Sequence, residues 1–431
     1  MSSVIIEPSR LNGCVTVPPS KSAAHRAILC AAMAKGVSSL SPIDFSSDIT
    51  ATVHAVKTLG ASVEFSHPVL TVDAAPLWGL NAVGAAHSKC CTVDCCESGS
   101  TLRFLIPVAA ALGRSVTFTG QGRLPQRPIG VYLDCLPKHG VACETAGGLP
   151  LTVSGQLTPG RFEVPGNISS QFITGLLLAL PLLQGDSELV LTSPLESAGY
   201  VEMTCRIMRD FGVTVEPSSA GWSIPGNQSY LAGAHTVEGD WSQAAFFLAA
   251  GALCGDLELT GLNQDSCQGD RAAEALFRAF GAQVCWRNNR LAAEPGALGG
   301  ITIDAAQIPD LVPILAATAS LCRGATRIIH AERLRIKESD RLRAMANALN
   351  ALGGRVTEMP DGLLIEGVNR LHSGKVDGCN DHRIVMALAI AALRADGPVE
   401  ITDAESIRKS YPSFFGDYNR LGGKAHGVIV G

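Results

Sequence analysis

The chain of 431 residues is too long for a single hydrophobic core and fits two domains of roughly 200 residues each. Its composition, 46% hydrophobic and 17% charged with 45 glycines, is typical of a turn-rich α/β protein. The net charge of −5 gives no reason to expect binding to nucleic acid or to a membrane surface. Apolar runs are shorter than the ~18 residues of a membrane span, and the first ten residues lack a basic segment, so we expect a cytoplasmic protein.

The first predicted elements are a strand and a buried helix. Residues 3–18 alternate between polar and apolar side chains and end in two prolines, which predicts one strand leading into a turn. A polar segment, residues 20–22, then begins an apolar helix that ends at a glycine. Five later segments repeat this design at intervals of about seventy residues. The six closing glycines are Gly36, Gly113, Gly185, Gly255, Gly324 and Gly397.

A second series of helices runs between the buried ones. Each of these is amphipathic and ends in a glycine that precedes a β-like run, as at Gly212 and Gly281. Two series with the same period indicate one unit of two helices and short strands, repeated six times. Three repeats would make each domain. The pattern weakens near residues 228–238, where we expect the chain to cross between domains.

Positive side chains gather at the starts of the buried helices. A lysine or arginine is electrostatically unfavourable there, because the helix dipole is already positive at that end. The placement becomes favourable when an anion is bound between the cations. If the helix starts meet at one cleft, a ligand with several phosphates or carboxylates is the simplest partner. The cations in question are Lys21, Arg26, Arg127, Lys337, Arg341, Arg383 and Lys409.

Few acids accompany these cations, and they are the candidates for proton transfer. Asp310 lies at a helix start, where it is either an ordinary N-cap or a strongly ionised base held among cations. Glu338 lies in a charged run, residues 333–342, that is either a solvated helix face or part of the same cleft. His382 has an equivalent position in the last repeat. Pure anion binding would not need these acids, which favours an enzyme over a silent binding module.

The cysteines of residues 90–96 do not predict a metal site. Two adjacent pairs lack the Cys-x-x-Cys loop of tetrahedral zinc sites, and adjacent residues of a strand point to opposite faces. Most of the fourteen cysteines are single and lie in predicted helices or strands, which favours reduced thiols. We expect no metal, and no phosphate-binding loop of an NTPase is found.

Seven segments together resemble the 5-enolpyruvylshikimate-3-phosphate synthase family. The resemblance implies an α/β fold with two domains. Each domain would consist of three repeated βαβαββ units whose helices are buried, as in an inverse α/β barrel. The cleft between the domains would close on substrate. The resemblance implies a C-terminal lobe of residues 1–19 and 233–431, completed by the N-terminal strand, and an N-terminal lobe of residues 20–232. The segments are PSKS (19–22), SGSTLR (98–103), RPI (127–129), ISSQF (168–172), GDWS (239–242), KESDR (337–341) and DHRI (381–384).

The resemblance also implies the reaction. The 5-hydroxyl of shikimate 3-phosphate attacks C2 of phosphoenolpyruvate, and a tetrahedral intermediate then loses phosphate, without a cofactor. Asp310 would accept the hydroxyl proton, while Glu338 and Lys21, with His382 nearby, would move the proton at the enol methylene. The positions matched to shikimate 3-phosphate are Lys21, Ser22, Arg26, Ser169, Ser170, Gln171, Ser197, Asp310 and Lys337. Those matched to phosphoenolpyruvate are Lys21, Gly99, Arg127, Gln171, Arg341, Arg383 and Lys409.

One rival enzyme shares the implied fold. An enolpyruvyl transferase acting on UDP-N-acetylglucosamine would carry a Lys-Asn pair in place of Lys21-Ser22 and a reactive cysteine on a mobile loop. Neither feature is seen, although Cys135 and Cys143 lie near enough to the second repeat to keep the second one open. We therefore expect shikimate 3-phosphate and phosphoenolpyruvate as the ligands of a monomeric enzyme.

Overall fold

A computed structural model describes residues 2–78 and 90–427. The chain forms two compact units, here called the N unit (Pro19–Glu238) and the C unit (Met1–Pro18 with Gly239–Gly431). The boundary predicted at residue 233 is wrong by six residues, and the one predicted after residue 19 by one. Residues 233–238 remain with the N unit because the strand Ala234–Thr236 pairs with the strand Val37–Ser41.

The helices follow the two predicted series. The bounds are α1 (Lys21–Met33), α2 (Ser47–Leu59), α3 (Ala75–Trp78), α4 (Gly99–Ala111), α5 (Gly130–Cys135), α6 (Ser170–Ala179), α7 (Ala198–Asp210), α8 (Trp241–Cys254), α9 (Ala272–Phe280), α10 (Val312–Ala319), α11 (Arg341–Ala351), α12 (His382–Ala391) and α13 (Phe414–Arg420). Among the described residues, α1, α4, α6, α8, α10 and α12 are the six predicted buried helices, and this prediction is confirmed. Every residue of α8 is buried, as expected for a helix that is apolar all round.

The strands are short. Their bounds are β1 (Ser3–Glu7), β2 (Asn12–Thr16), β3 (Val37–Ser41), β4 (Ser62–Ser66), β5 (Val69–Asp73), β6 (Cys91–Asp94), β7 (Val116–Thr119), β8 (Val141–Glu144), β9 (Leu151–Gly155), β10 (Arg161–Val164), β11 (Ser187–Leu191), β12 (Glu216–Ser218), β13 (Gly221–Ile224), β14 (Ala234–Thr236), β15 (Asp256–Thr260), β16 (Gln283–Arg287), β17 (Arg290–Glu294), β18 (Thr302–Asp304), β19 (Ala325–Ile329), β20 (Arg355–Met359), β21 (Gly362–Glu366), β22 (Gly374–Val376), β23 (Val399–Thr402) and β24 (Lys424–His426).

Within the described ranges these strands form six four-stranded sheets of one design. The N unit has the orders β14-β3-β5-β4, β6-β7-β9-β8 and β10-β11-β13-β12, and the C unit has β16-β17-β15-β2, β18-β19-β21-β20 and β22-β23-β1-β24. Each sheet contains one parallel pair and two antiparallel pairs. In the sheet of β6, for example, β6 and β7 are parallel while β9 is antiparallel to both β7 and β8. The helix α4 connects the two parallel strands, β6 and β7. The chain order β6-α4-β7-α5-β8-β9 is one βαβαββ unit.

The N-terminal segment differs from the prediction. Residues 3–18 form two strands rather than one, and the two strands belong to different sheets of the C unit. β1 is antiparallel to β23, whereas β2 is parallel to β15. Pro8 follows β1 directly, and because proline has no N–H to donate, the first strand cannot continue through it.

The buried helices occupy the interior of each unit. In the C unit α8, α10 and α12 contact one another, and in the N unit α4 contacts α1 and α6. The sheets cover this helical core. Because the helices are apolar along their length, their polar first turns are the places where charged side chains can lie. No helix within residues 2–78 and 90–427 has the length and apolar character needed to cross a membrane.

Candidate active site

In the C unit, Asp310 lies in a short 3-10 helix, Pro309–Leu311, just before α10. Its Oδ1 accepts a hydrogen bond from Arg341 Nη1 at 2.9 Å, and its Oδ2 accepts one from Arg383 Nη2 at 3.1 Å. Lys337 Nζ lies 3.8 Å from Oδ1. One carboxylate is therefore held by three cations that lie 27, 31 and 73 residues further along the chain.

These neighbours determine the charge state of Asp310. Burial raises the pKa of a carboxyl group, but the three cations outweigh it and hold the pKa of Asp310 well below its ordinary value. The carboxylate is therefore ionised at neutral pH. The alternative that Asp310 is an ordinary N-cap is wrong, because Leu311 holds the N-cap position of α10.

Arg341 joins Asp310 to two further carboxylates. Its side chain is 1% exposed, and its Nε and Nη2 donate to Asp381 Oδ2 and Glu338 Oε2, both at 2.8 Å. Asp381 also accepts from Ser339 Oγ at 2.9 Å. Burial disfavours a charged guanidinium, but the surrounding carboxylates raise the pKa of Arg341 above its ordinary value. A buried charge needs such partners, since removing one of them leaves the other uncompensated.

Arg383 connects the starts of the buried helices of the C unit. It lies in the first turn of α12, and its Nη2 donates to Ser242 Oγ, in the first turn of α8, at 3.0 Å. Its Nη1 donates to the backbone carbonyl of Asp310 at 3.2 Å. The N-terminal ends of α8, α10 and α12 therefore meet at this guanidinium.

Two further candidates flank the start of α12. Lys409, largely buried, donates from Nζ to the backbone carbonyl of Asn380 at 2.6 Å. His382 is buried, and its Nδ1 lies 3.9 Å from Asp381 Oδ1. Both side chains thus lie at the end of α12 that carries Arg383.

The charged run at residues 333–342 divides into two parts. Lys337 and Arg341 contact Asp310, and Glu338 contacts Arg341. Arg335 donates instead to Glu358 at 2.5 Å and to Asp340, which is the N-cap of α11. The expectation that the whole run faces one place is therefore wrong, because neighbouring residues of a turn point in different directions.

In the N unit, Lys21 is the first residue of α1. Its Nζ forms an ion pair with Asp48 Oδ2 of α2 at 2.7 Å. The preceding residue, Ser20, is the N-cap and accepts from the backbone N–H of Ala23. The pair places the Lys21 ammonium at the positive end of the helix dipole, where the carboxylate of Asp48 offsets the unfavourable charge.

Arg26 is buried one turn further into α1. Its Nε donates to Thr204 Oγ1 at 2.7 Å, and its Nη1 donates to the backbone carbonyl of Ser22 at 2.6 Å. Its Nη2 donates to the backbone carbonyl of Tyr200 at 3.1 Å, and the guanidinium lies 5.0 Å from the ring centroid of Phe104. The arginine thus fixes α1 against α7 and α4.

Gly99, the first residue of α4, lies against two arginines. A Cβ atom at this position would be 2.9 Å from Arg127 Nη1 and 3.1 Å from Arg103 Nη1. Both distances are shorter than ordinary contacts, so only glycine leaves these guanidinium groups in place. The first turn of α4 therefore lies beside two positive charges, an arrangement that favours an anion.

Gln171 at the start of α6 is held by both of its amide atoms. Its Oε1 accepts from Arg103 Nη1 at 2.6 Å, and its Nε2 donates to Ser100 Oγ at 3.0 Å. The preceding Ser169 is the N-cap of α6 and accepts from the backbone N–H of Gln171. Ser170 is buried in the first turn. Arg103 thus binds Gln171 and lies beside Gly99, as Arg127 does.

Ser197 precedes α7 and has a backbone φ of 56°, in the left-handed region that non-glycine residues rarely adopt. Its side chain is buried. Tyr200, in the first turn of α7 that follows Ser197, accepts from Arg26 Nη2 through its backbone carbonyl. The structure therefore places Ser197 at the helix start that contacts Arg26.

Sequence reasoning missed several side chains that hold the predicted ones. Asp48 pairs with Lys21, Arg103 holds Gln171, and Asp381 holds Arg341. Arg103 and Asp381 lie within the segments that carry the family resemblance, so their presence was visible but not their contacts. The available signal was physical: a buried arginine requires a carboxylate or several carbonyl groups nearby.

Cys135 and Cys143, the candidates for a reactive loop cysteine, are not activated thiols. Burial raises the pKa of Cys135 to about 11 and also raises the pKa of Cys143. Both thiols are therefore protonated at neutral pH, unlike a reactive thiolate. Among the described residues, which include all fourteen cysteines, no group of three or more His, Cys, Asp or Glu side chains could hold a metal ion.

Comparisons with known proteins cover almost the whole chain. Residues 5–418 match the family model described as EPSP synthase (3-phosphoshikimate 1-carboxyvinyltransferase). A protein of Clostridium kluyveri called 3-phosphoshikimate 1-carboxyvinyltransferase is 45% identical over 433 residues, covering 100% of both chains. A protein of Clostridium novyi with the same name is 44% identical and covers 98% of both chains. The solved structure of EPSP synthase from Acinetobacter baumannii is 26% identical, with a TM-score of 0.83 over 99% of this chain and 100% of that one.

Proposed function

The chain belongs to the EPSP synthase (3-phosphoshikimate 1-carboxyvinyltransferase) family, and we propose that two clusters of side chains at helix starts carry out the reaction of that family. One cluster surrounds Asp310 in the C unit, and the other surrounds Gly99 and Lys21 in the N unit. The enolpyruvyl group of phosphoenolpyruvate is transferred to the 5-hydroxyl of shikimate 3-phosphate, and phosphate is released. The observation that supports this most strongly is the ionised Asp310 carboxylate, held among three cations at the ends of buried helices.

The charges of the substrates match the cations of the clusters. The two substrates together bring two phosphates and two carboxylates. Arginine forks and helix N–H groups are the usual protein ligands of both groups. Phosphoenolpyruvate is bound by Lys21, Gly99, Arg127, Gln171, Arg341, Arg383 and Lys409. Shikimate 3-phosphate is bound by Lys21, Ser22, Arg26, Ser169, Ser170, Gln171, Ser197, Asp310 and Lys337.

In the first step Asp310 accepts the proton of the 5-hydroxyl group, and the oxygen of that hydroxyl group attacks C2 of phosphoenolpyruvate. The electron pair of the double bond takes up a proton at C3. We assign this transfer to Glu338, which must enter the step as the neutral acid, together with Lys21 and His382. The product of this step is a tetrahedral intermediate with a C3 methyl group. In the second step C3 returns a proton to the group that donated it and the double bond forms again. The bond from C2 to the phosphate oxygen breaks, phosphate leaves, and Asp310 releases its proton to solvent.

Substrate binding adjusts the strength of the base. In the absence of substrate, Arg341 and Arg383 donate to Asp310 and keep its pKa low. When the anionic groups of the substrates take up these guanidinium charges, the positive potential at Asp310 falls and its pKa rises. A carboxylate with a higher pKa is a better acceptor for the hydroxyl proton.

Positioning and electrostatic stabilisation account for the rate. Holding the hydroxyl against C2 can supply roughly 7–11 kcal/mol, because it replaces a bimolecular encounter by an oriented one. Lysine and arginine side chains stabilise the charge that develops on the leaving phosphate. Proton transfer and C–O bond exchange require no redox cofactor.

One chain supplies every proposed residue, so a monomer is sufficient. All fourteen cysteines lie in the described part of the chain and none is in a disulfide, which supports a cytoplasmic location.

The acceptor test separates this function from that of the UDP-sugar enzyme. Phosphate release from phosphoenolpyruvate should be fast with shikimate 3-phosphate and at background level with UDP-N-acetylglucosamine. Phosphate release with the UDP-sugar but not with shikimate 3-phosphate would overturn the proposal in favour of the rival enzyme. Release with neither acceptor would leave an anion-binding protein without this activity.

A further inference from the structure

Four buried polar side chains of the N unit form a continuous chain of hydrogen bonds that the proposed reaction does not use. They lie on α1, on α2 and at the start of α4. All four are at most 1% exposed. The four residues are His25, Thr52, Thr101 and Ser98.

The distances in this chain are short. His25 Nδ1 is 2.7 Å from Thr52 Oγ1, and Thr52 Oγ1 is 2.6 Å from Thr101 Oγ1. Thr101 Oγ1 donates to Ser98 Oγ at 2.7 Å, and Ser98 Oγ also accepts from the backbone N–H of Thr101. Ser98 is the N-cap of α4 and immediately precedes Gly99. The chain therefore ends at the turn that we assign to phosphoenolpyruvate.

The direction of donation follows from counting protons. Thr101 donates its one hydroxyl proton to Ser98, so its oxygen must accept a hydrogen bond from Thr52. Thr52 in turn has no proton left for His25, so Nδ1 of His25 carries the hydrogen and donates. The longer contact of Thr52 Oγ1 to the backbone carbonyl of Asp48, 3.4 Å, is the weaker competitor for the same proton.

The other ring nitrogen of His25 does not fix the ring. Nε2 is buried and has no hydrogen-bond partner among the described residues. Burial, together with the charges of Lys21 and Arg26, holds the pKa of His25 well below its ordinary value. The ring is therefore neutral and has one N–H, which is the one given to Thr52.

The same two helices carry the ion pair of Lys21. Lys21 and His25 are four residues apart on α1, and Asp48 and Thr52 are four residues apart on α2. Residues at this spacing lie on one face of a helix, so the ion pair and the hydrogen bond from His25 are adjacent contacts between α1 and α2. The second of them continues to α4 through Thr101.

We propose that His25 is a positioning residue that sets the Ser98–Gly99 turn of α4 relative to Lys21 on α1. The inference rests on the proposed function, because both positions are assigned to phosphoenolpyruvate there. His25 touches no substrate in this account. Its Nδ1–H determines where the first turn of α4 lies, and so how well that turn and Lys21 bind the same anion.

Replacements that mimic one ring nitrogen test this role. In His25→Asn the amide nitrogen takes the place of Nδ1, in His25→Gln it takes the place of Nε2, and His25→Leu has no donor. We expect His25→Asn to retain the KM for phosphoenolpyruvate, and His25→Gln and His25→Leu to raise it about tenfold, the size of one lost buried hydrogen bond. The KM for shikimate 3-phosphate should stay unchanged in all three variants.

Thr52→Val gives a second test if a substitution of His25 fails to fold. It removes the middle hydroxyl with little change of shape and should raise the KM for phosphoenolpyruvate to a similar extent. Thr318→Val is the matched control, since Thr318 is equally buried but donates only within its own helix, α10, in the C unit. It should leave both KM values unchanged.

Each outcome decides the proposal. An unchanged KM for phosphoenolpyruvate in His25→Leu and Thr52→Val, or an equal rise in both KM values, would show a merely structural role and overturn it. Loss of the His25→Asn rescue would also overturn the role of Nδ1. Wild-type protein is measured alongside. If it releases no phosphate, the proposed function is wrong and the inference is wrong with it.

Discussion

Asp310 illustrates how single residues of the C unit acquire their chemistry. Burial opposes its charge, yet Arg341 and Arg383 each donate to one of its oxygens and keep it ionised. The sequence allowed Asp310 to be identified as a candidate base, because few acids accompany the cations. It did not show that Asp381 shares Arg341, since a contact between residues forty positions apart depends on how α11 and α12 pack.

Replacing Asp310 by asparagine removes the proposed base and keeps the shape of the side chain. We expect kcat for phosphate release to fall by about 10³-fold, within the range of general base catalysis. The affinity for shikimate 3-phosphate, measured by calorimetry, should change little. Asp304→Asn, at an exposed carboxylate of β18, is the control and should behave like wild type. A near-normal rate for Asp310→Asn would remove its role as base.

Arg127→Ala tests the assignment of the anion site beside Gly99. We expect the KM for phosphoenolpyruvate to rise by about ten- to hundredfold, because a charge-assisted hydrogen bond is lost. The KM for shikimate 3-phosphate should change far less. Arg335→Ala is the matched control, since Arg335 pairs with Glu358 away from Asp310. Equal losses for both substrates in Arg127→Ala would refute the assignment.

At the scale of elements, Asp381 stabilises the start of α12. It is the N-cap of that helix and accepts from the backbone N–H of Arg383, and it also accepts from Arg341 of α11. Burial would raise the pKa of Asp381, but the charge of Arg341 outweighs it and lowers the pKa below its ordinary value. The contact between α11 and α12 therefore depends on whether the carboxyl group of Asp381 is ionised.

Asp381→Asn should destabilise the protein in a pH-dependent manner. At pH 7 we expect a loss of about 3 kcal/mol in the free energy of unfolding, because Arg341 loses a buried partner. The folded-state pKa of Asp381 lies below its unfolded value near ~3.9. Its stabilisation is thus complete above that pH and is lost as the pH falls through the folded pKa. Urea unfolding from pH 7 to pH 3 should show the difference from wild type shrinking in acid, and a constant difference would contradict the account.

The hairpin formed by β16 and β17 contains none of the proposed site residues and offers a test of stability alone. Its two loop residues, Asn288 and Asn289, both have positive φ values, 48° and 59°, as a type I′ turn requires. Asn289→Gly should raise the free energy of unfolding by about 0.5 kcal/mol, because glycine adopts this conformation without strain. Asn289→Ala, the matched variant, should lower it. Thermal unfolding checks both, and the opposite order would disprove the turn.

The whole molecule was predictable in its repeats but not in its strand partners. Spaced glycines and polar helix starts report local structure, and they gave the correct number and order of buried helices within the described residues. Periodicity does not report which distant strands pair. Ile5 is opposite Glu400, Asn12 is opposite Asp256 and Ala234 is opposite Ser39. Three sheets are therefore completed by strands about two hundred or more residues away.

Removal of metal ions tests the electrostatic account at the scale of the whole protein. The proposed mechanism stabilises developing charge with lysine and arginine side chains alone. Exhaustive dialysis against a chelator should therefore leave the rate of phosphate release unchanged. A loss of rate that added Mg²⁺ or Zn²⁺ restores would show that a metal ion takes part.

The most direct test identifies the product itself. Protein incubated with phosphoenolpyruvate labelled with ¹³C at C2 and C3, together with shikimate 3-phosphate, is followed by NMR. The account predicts that the label appears in an enolpyruvyl ether at the 5-oxygen, with one phosphate released for each ether formed. Label recovered as pyruvate, or phosphoenolpyruvate left unchanged, would contradict it.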